Sequence, residues 1–321
     1  MTPRHFFLPT SAFLLGCVIA AGVIAQQYPA KPIRLVTSAA GGGNDFMARI
    51  LAQAISGPLG QQVVIENRGG SSIIIGEVVV NAAPDGYTML FASSSLWLAP
   101  LLQKTAYDPL RELAPVSLVD RGPNLLVVHP SLPVRSVKEL IALAKARPGE
   151  LNYSSTGIGT STHLAAELFK SMAGVKLVHI PYKGSGQSTG ALLSGEVQLS
   201  FATATSVGPH LRAGRLKPLA VTTAEPTPLL PGLTTVAAAG LPGYEAASTD
   251  GVFVPAKTPA AIIERLNQEI VRAINRPDVK EKFQSTGVEM IGSTPEQFAA
   301  AIRSEMSRMG KVIKDAGIRA D

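Results

Sequence analysis

IRLVTSAAGGGNDFMARI, residues 33–50, reads as a short buried strand, a glycine turn and the start of a helix. Ile33, Leu35 and Val36 are β-prone apolar residues in a short run. Gly41, Gly42 and Gly43 then permit backbone angles that a side chain forbids. Asn44 suits an N-cap, and Phe46, Met47, Ile50, Leu51, Ala54 and Ile55 recur at helical spacing. Small residues therefore stand where unpaired backbone N–H groups emerge at the positive end of a helix dipole, a place that attracts anions. An ordinary β–α turn has the same local sequence, so the units on either side must discriminate.

Outward from that stretch the pattern repeats. Residues 63–66 read as a second strand, 73–80 as a crossover helix despite their β-branched content, and 88–91 as a third strand running into Ser93-Ser94-Ser95. Strand-like runs at 116–119 and 125–128 lead into a second unit. There Ser136-Val137-Lys138-Glu139 is a capping box that starts a helix through Ala146. A strand at 152–154 is followed by the small-residue turn STGIGTSTH, residues 155–163, and a helix over 164–172. A strand at 177–182 runs into Lys183-Gly184-Ser185-Gly186, a third turn of this kind, and 197–201 and 218–221 are further strands. Residues 223–232 are proline-rich and suit a connection between lobes. Thr258-Pro259 and Thr294-Pro295 open helices over 259–275 and 295–316. Strands alternating with helices predict parallel sheets, with ligands held outside the C-terminal strand ends. Two lobes turning such Gly, Ser and Thr turns toward one cleft would grip a small polar ligand by hydrogen bonds.

The composition narrows the function. The chain has 321 residues, 46% hydrophobic and 16% charged, enough for two domains. Arg4 precedes the apolar stretch AFLLGCVIAAGVIA, residues 12–25, and Val23-Ile24-Ala25 fits cleavage of a signal peptide over 1–25. Export is expected. Leu14-Leu15-Gly16-Cys17 also resembles a lipoprotein box, but the apolar residues continuing past Cys17 argue against a lipid anchor. Cys17 is the single cysteine, so a chain starting at Gln26 has neither disulfide nor thiol chemistry. The charge of +6 is spread without a Lys/Arg run, and aromatics are 5%, which argues against a nucleic-acid groove.

Catalytic readings fare poorly. His129, His163, His179 and His210 are scattered without metal-ligand spacing, and Gly41-Gly42-Gly43 lacks the G-x-G-x-x-G pattern of a dinucleotide enzyme. Gly186-Gln187-Ser188-Thr189-Gly190 fits the G-x-S-x-G elbow of serine hydrolases. Its serine does not follow directly from a strand, and a Ser188–Glu196–His210 triad would be squeezed into about two elements.

Taken together, the units resemble the tripartite tricarboxylate transporter solute receptors, the Bug family, from about Tyr28 to the C-terminus. The landmarks are Tyr28-Pro29-Ala30-Lys31-Pro32-Ile33-Arg34, Gly41-Gly42-Gly43-Asn44-Asp45, Glu66-Asn67-Arg68 and Ala83-Pro84-Asp85-Gly86-Tyr87-Thr88. Further on stand Ala114-Pro115-Val116-Ser117, Leu151-Asn152-Tyr153, His163-Leu164-Ala165, Val178-His179-Ile180-Pro181-Tyr182-Lys183-Gly184, Gly292-Ser293-Thr294-Pro295-Glu296 and Gly310-Lys311-Val312. The resemblance implies an α/β, two-lobe periplasmic-binding-protein-like fold (type II), each lobe a mostly parallel sheet flanked by helices. Residues 26–121 and 223–321 would form one lobe and 122–222 the other.

It also implies a monomeric receptor without cofactor or catalysis that closes on a small organic acid. The receptor would hand its ligand to the large and small membrane subunits of a tripartite carrier, or, as an alternative, feed a sensor. In such receptors the ligand carboxylate is held chiefly by backbone N–H groups and waters. By position, the ligand-binding residues are Ser38, Ala39, Gly42, Gly43, Asn44 and Asp45, then Ser93 and Ser94. The second lobe contributes Thr156, Gly157, Thr160, Ser161, His163, Tyr182, Gly184, Ser185, Ala202 and Thr203, and Asp250 returns from the first. His163 also reads as a helix-start histidine bonded to backbone, and Asp250 as a turn residue before Gly251. The chain departs from the family at Thr37-Ser38-Ala39-Ala40, where Pro-Phe-Ala-Pro is usual, and at 69–75, where Pro-Gly-Ala-Gly-Gly is usual. The first change makes the loop smaller and more polar; both put the ligand class in question and leave the fold alone.

Overall fold

The computed structural model describes residues 28–319 except 42, 70–71, 228–229, 285–286 and 316; the leader, Cys17 and Gly42 lie outside the described residues. The first lobe opens with β1 (Ile33–Thr37), α1 (Gly43–Leu59), β2 (Val63–Asn67), α2 (Ser72–Val80) and β3 (Thr88–Ser93). β1 pairs in parallel with both β2 and β3. α2 is helical although Ile73-Ile74-Ile75 and Val78-Val79-Val80 favour strand, because the crossover between parallel strands demands it and buries Ile75 and Val79. Gly76 makes that packing close: a Cβ there would meet the Tyr107 hydroxyl.

Next come α3 (Ser95–Leu102), α4 (Pro109–Glu112) and β4 (Leu113–Val128). The two runs read separately at 116–119 and 125–128 are this one strand of 16 residues. The second lobe follows with α5 (Val137–Ala146), β5 (Asn152–Ser155), α6 (Ser161–Ala173), β6 (Val178–Pro181), α7 (Ser185–Ser194), β7 (Leu199–Thr203), α8 (Ala204–Arg212) and β8 (Lys217–Val221). Back in the first lobe are β9 (Ala247–Pro255), α9 (Ala260–Ile274), α10 (Pro277–Gln284), β10 (Glu289–Met290) and α11 (Pro295–Asp315).

β4 joins the lobes. Its Leu113–Pro123 portion pairs antiparallel with β9, and its last five residues pair antiparallel with β7. β9 in turn lies antiparallel to β3. The sheets are therefore mixed, and the expectation of mostly parallel sheets is corrected: four pairings are parallel (β1 with β2 and β3, β5 with β6 and β7), while every pairing made by β4 or β9 is antiparallel. β9 escaped the sequence reading because Ser248, Thr249 and Asp250 look like loop, yet they pair where the strand passes the cleft.

Among the described residues four apolar clusters hold the frame on the cleft's two sides, one of them formed by Leu125, Val127, Leu192 and Val207 in the second lobe. Phe169, Phe201, Tyr153 and Tyr244 form the second-lobe core, with the Tyr244 hydroxyl donating to the Ala165 carbonyl at 2.8 Å. α1 and α9 bury Leu51, Ile55, Leu266 and Ile270 under the first sheet. On its other face Trp97 packs against Phe253 and Phe298 and donates to Glu305 at 3.1 Å. Each such fully buried side chain contributes about 1.5–3 kcal/mol. Val236, Leu241, Tyr244 and Ala246 pack into the second-lobe core, so the chain returns to the first sheet at Ala247, later than the proline-rich 223–232 suggested.

Candidate functional site

Between the sheets lies a cavity of about 890 Å³. It is built from strand ends: the β1–α1 loop, the β3–α3 junction, the β5–α6 and β6–α7 loops, the β7–α8 junction, and β4 and β9 where they cross. The lobes stand close across it, for a Cβ built on Gly43 would lie 4.0 Å from Thr205 Oγ1.

Four helix starts on this cavity share one property. α3, α6, α7 and α8 begin after Ser94, Thr160, Gly184 and Thr203, and no cap side chain bonds to their first-turn N–H groups. Instead Thr160 Oγ1 donates to the Gly157 carbonyl, and the Thr203 hydroxyl is engaged with Thr205 and Ser206. Gly184, at φ +113, adopts a conformation other residues resist and aims the chain into α7. Elsewhere three helix starts are capped by side chains: Asp108 for α4, Ser136 for α5 and Thr294 for α11. α9, whose N-cap is Pro259 on the surface, has no side-chain cap. Uncapped N–H groups at four dipole ends, from both lobes, give the cavity an affinity for anionic oxygen. Exposed Lys183 lines it too.

Of the residues read from sequence, Ser38, Ala39, Gly43, Asn44, Ser93, Thr156, Gly157, Thr160, Ser161, Tyr182, Gly184, Ser185, Thr203 and Asp250 line this one cavity. Asn44 is within the first turn of α1, which begins at Gly43, rather than serving as its cap. Four others do not line it. Asp45 turns inward: it accepts from Gly41 N–H at 2.9 Å and from Asn67 Nδ2 at 2.8 Å, and pairs with Arg49 at 3.0 Å. Those donors hold its carboxyl below the usual aspartate value despite burial. Asn67 also donates to the Ser38 carbonyl, so Asp45 and Asn67 clamp the β1–α1 loop from behind. Ser94 and Ala202 are buried. Gly42 lies outside the described residues.

His163 is the fourth. It sits behind the β5–α6 loop in a separate cavity of about 230 Å³, with Glu167, His179 and Ile318. Its Nδ1 accepts from Gly159 N–H at 3.0 Å, which puts the ring proton on Nε2, 3.9 Å from Glu167 Oε1. The ring stacks on His179, which stacks on Tyr153. Burial pushes His163 down to about 4 and, with neighbouring His163 and Lys170, His179 to about 3. Both rings are neutral supports of the loop.

The elbow motif assembles no triad. Ser188 is buried inside α7 and donates to Ser154 Oγ at 2.9 Å, Glu196 accepts from the Tyr182 hydroxyl, and His210 contacts Arg215. Among the described residues no group of three metal-ligating side chains occurs. Sequence reasoning missed Asp120, Gly122 and Ser248 on the crossing strands. The available signal was a lone acid inside the apolar run from Val116 to Val128.

Comparison with known proteins places the chain. The family model "Tripartite tricarboxylate transporter family receptor" matches residues 47–318. Protein BugT of Bordetella pertussis is 37% identical over 312 residues, covering 96% of each chain. The solved structure of R. palustris Rpa4515 with adipate is 38% identical with a TM-score of 0.85, covering 91% of this chain and 99% of that one. MatC from Rhodopseudomonas palustris with bound malate is 28% identical with a TM-score of 0.82, covering 89% and 100%.

Proposed function

The chain belongs to the tripartite tricarboxylate transporter receptor family, and on that premise we propose that it binds a small organic acid in the inter-lobe cavity and delivers it to a two-subunit membrane carrier. One observation carries the reading: four helix starts, left uncapped by side chains and drawn from both lobes, converge on one cavity. A carboxylate brings two oxygens with several lone pairs, enough to bridge N–H groups of both lobes at once. Bridging favours the closed arrangement, and β4 and β9, continuous through the cleft, are the hinge about which the lobes close.

The adipate and malate held by related structures are of this chemical class. The receptor is exported through residues 1–25, works in the periplasm as a monomer, and carries out no catalysis. The ligand set comprises the fourteen cavity-lining residues named above together with Gly42; Asp45 and His163 hold the loops from behind.

Thermal unfolding of the protein beginning at Gln26, freed of co-purified ligand and screened against di- and tricarboxylates, amino acids and aromatic acids, tests the reading. A ligand at a hundred times its dissociation constant adds about 2.7 kcal/mol, a visible rise in Tm. Stabilisation confined to carboxylates supports the proposal. A screen in which no carboxylate raises Tm overturns it.

A further inference from the structure

Asp120 and Asp250 are Cα partners on β4 and β9, where both strands cross the cleft. Both line the cavity, Asp120 fully buried and Asp250 7% exposed. They are short of donors: beyond a proton shared between the two carboxyls, neither oxygen of Asp120 nor Oδ1 of Asp250 has a hydrogen-bond partner. Among the described residues no cation pairs with either; neighbouring Arg121 pairs with Glu245 instead. The polar side chains against them are each other and Asn44, whose amide supports Asp250. Two carboxyls so placed hold one proton between them and keep one negative charge. The cavity therefore has two chemically opposed regions: N–H groups at the helix starts, and a charged acceptor at the hinge.

A ligand spanning both regions cannot present the same group to each. We propose that Asp250, with Asp120 behind it, selects the ligand's second end: the cleft takes a small carboxylate whose other terminus donates hydrogen bonds, an ammonium above all, over a plain dicarboxylate. This rests on the organic-acid reading and narrows it. A second carboxylate at the hinge meets an existing negative charge and oxygens whose one donor is the proton they share, so neither side gains a hydrogen bond. An ammonium, amide or hydroxyl supplies the missing donors. Asp250 is the member a ligand reaches; Asp120 sets its charge and orientation.

The test is calorimetric titration near neutral pH with matched chains of six and four carbons. The first comprises ε-aminohexanoate, adipate monoamide, ε-hydroxyhexanoate, hexanoate and adipate; the second comprises γ-aminobutanoate, succinate monoamide, butanoate and succinate. The wild type is expected to bind a donor-ended member roughly ten-fold or more tightly than the dicarboxylate of equal length. Whichever donor binds best names the end group. The double variant Asp120→Asn/Asp250→Asn keeps the shape and removes the charge; it is expected to lose that preference, with thermal unfolding confirming that it folds. The single variant Asp120→Asn, which leaves Asp250 charged, retains the preference. Wild-type protein that binds dicarboxylates as well as donor-ended acids, or a double variant that keeps the preference, overturns this inference and leaves the receptor reading intact. Binding of none of the series by the wild type overturns the organic-acid reading as well.

Discussion

The hinge pair makes a stability prediction that needs no ligand. Asp250→Asn replaces a carboxyl that burial pushes up to about 6, even though Asp120 and Asn44 offset part of that rise, from the usual 3.8. Its partner Asp120 is raised well above that value too, first by burial and then by Asp250. Between pH of about 4 and about 6 the native Asp250 therefore keeps a proton that the unfolded chain has already released near 3.8, so its contribution to stability falls as pH rises through that window. The difference from 3.8 to about 6 amounts to about 3 kcal/mol above the window. Asparagine does not ionise, and its amide supplies Asp120 with a permanent donor. In thermal unfolding of ligand-free protein from pH 4 to 8, the variant is expected to gain on the wild type by about 3 kcal/mol, on the order of 5 °C in Tm, at the neutral end. The gain should shrink toward zero near pH 4. A difference that stays flat across the range, or a variant that loses ground as pH rises, would refute the shared-proton reasoning.

Other expectations concern the supports of the loops. Asp45→Ala frees the β1–α1 loop from its clamp and leaves the Gly41 N–H and the Asn67 amide short of an acceptor; chemical denaturation should show a loss of about 2–3 kcal/mol and titration a weaker ligand. Gly159→Ala puts a methyl 2.7 Å from Leu102 Cδ1 at φ +77, propping the rims apart, so ligand affinity should fall roughly ten-fold while the cores stay folded. Gly251→Ala drives a methyl into the Phe298 ring and should cost about 1–3 kcal/mol without touching the cavity. His163 is held neutral down to about 4, so its contribution is full above the unfolded value near 6.5 and is lost as pH falls from there. His163→Gln, which keeps an acceptor for Gly159 N–H, should blunt acid unfolding between pH of about 6 and about 4 by up to about 3 kcal/mol in the difference from wild type.

Much of the fold was legible because each β–α unit carries its own local signal. Gly41 and Gly43, the STGIGTSTH turn and Lys183-Gly184-Ser185-Gly186 all mark strand ends on the cavity. The hinge was hidden for a physical reason. Asp120, Arg121 and Gly122 interrupt the apolar pattern of β4 as a turn would, but here the strand leaves one sheet for the other and faces a polar cleft. β9 was masked in the same way by Ser248 to Asp250. His163 was misplaced because a histidine in the first turn of α6 can face forward or back, and only the stack with His179 and Tyr153 shows that it faces back.

The crossing of β4 and β9 has an architectural consequence. Gly122 faces Ser248 and Pro123 faces Ala247, and residues opposed in an antiparallel pair lie about 4.5–5.5 Å apart. The second lobe thus leaves and re-enters the chain through one narrow doorway. Residues 124–246 have the form of a cassette: removed at that doorway, their ends could be joined by a short turn, and the cassette of a relative could be set in the same frame. One wall of the cavity, with three of its four uncapped helix starts, is in this sense a portable part, while the acid pair remains with the doorpost.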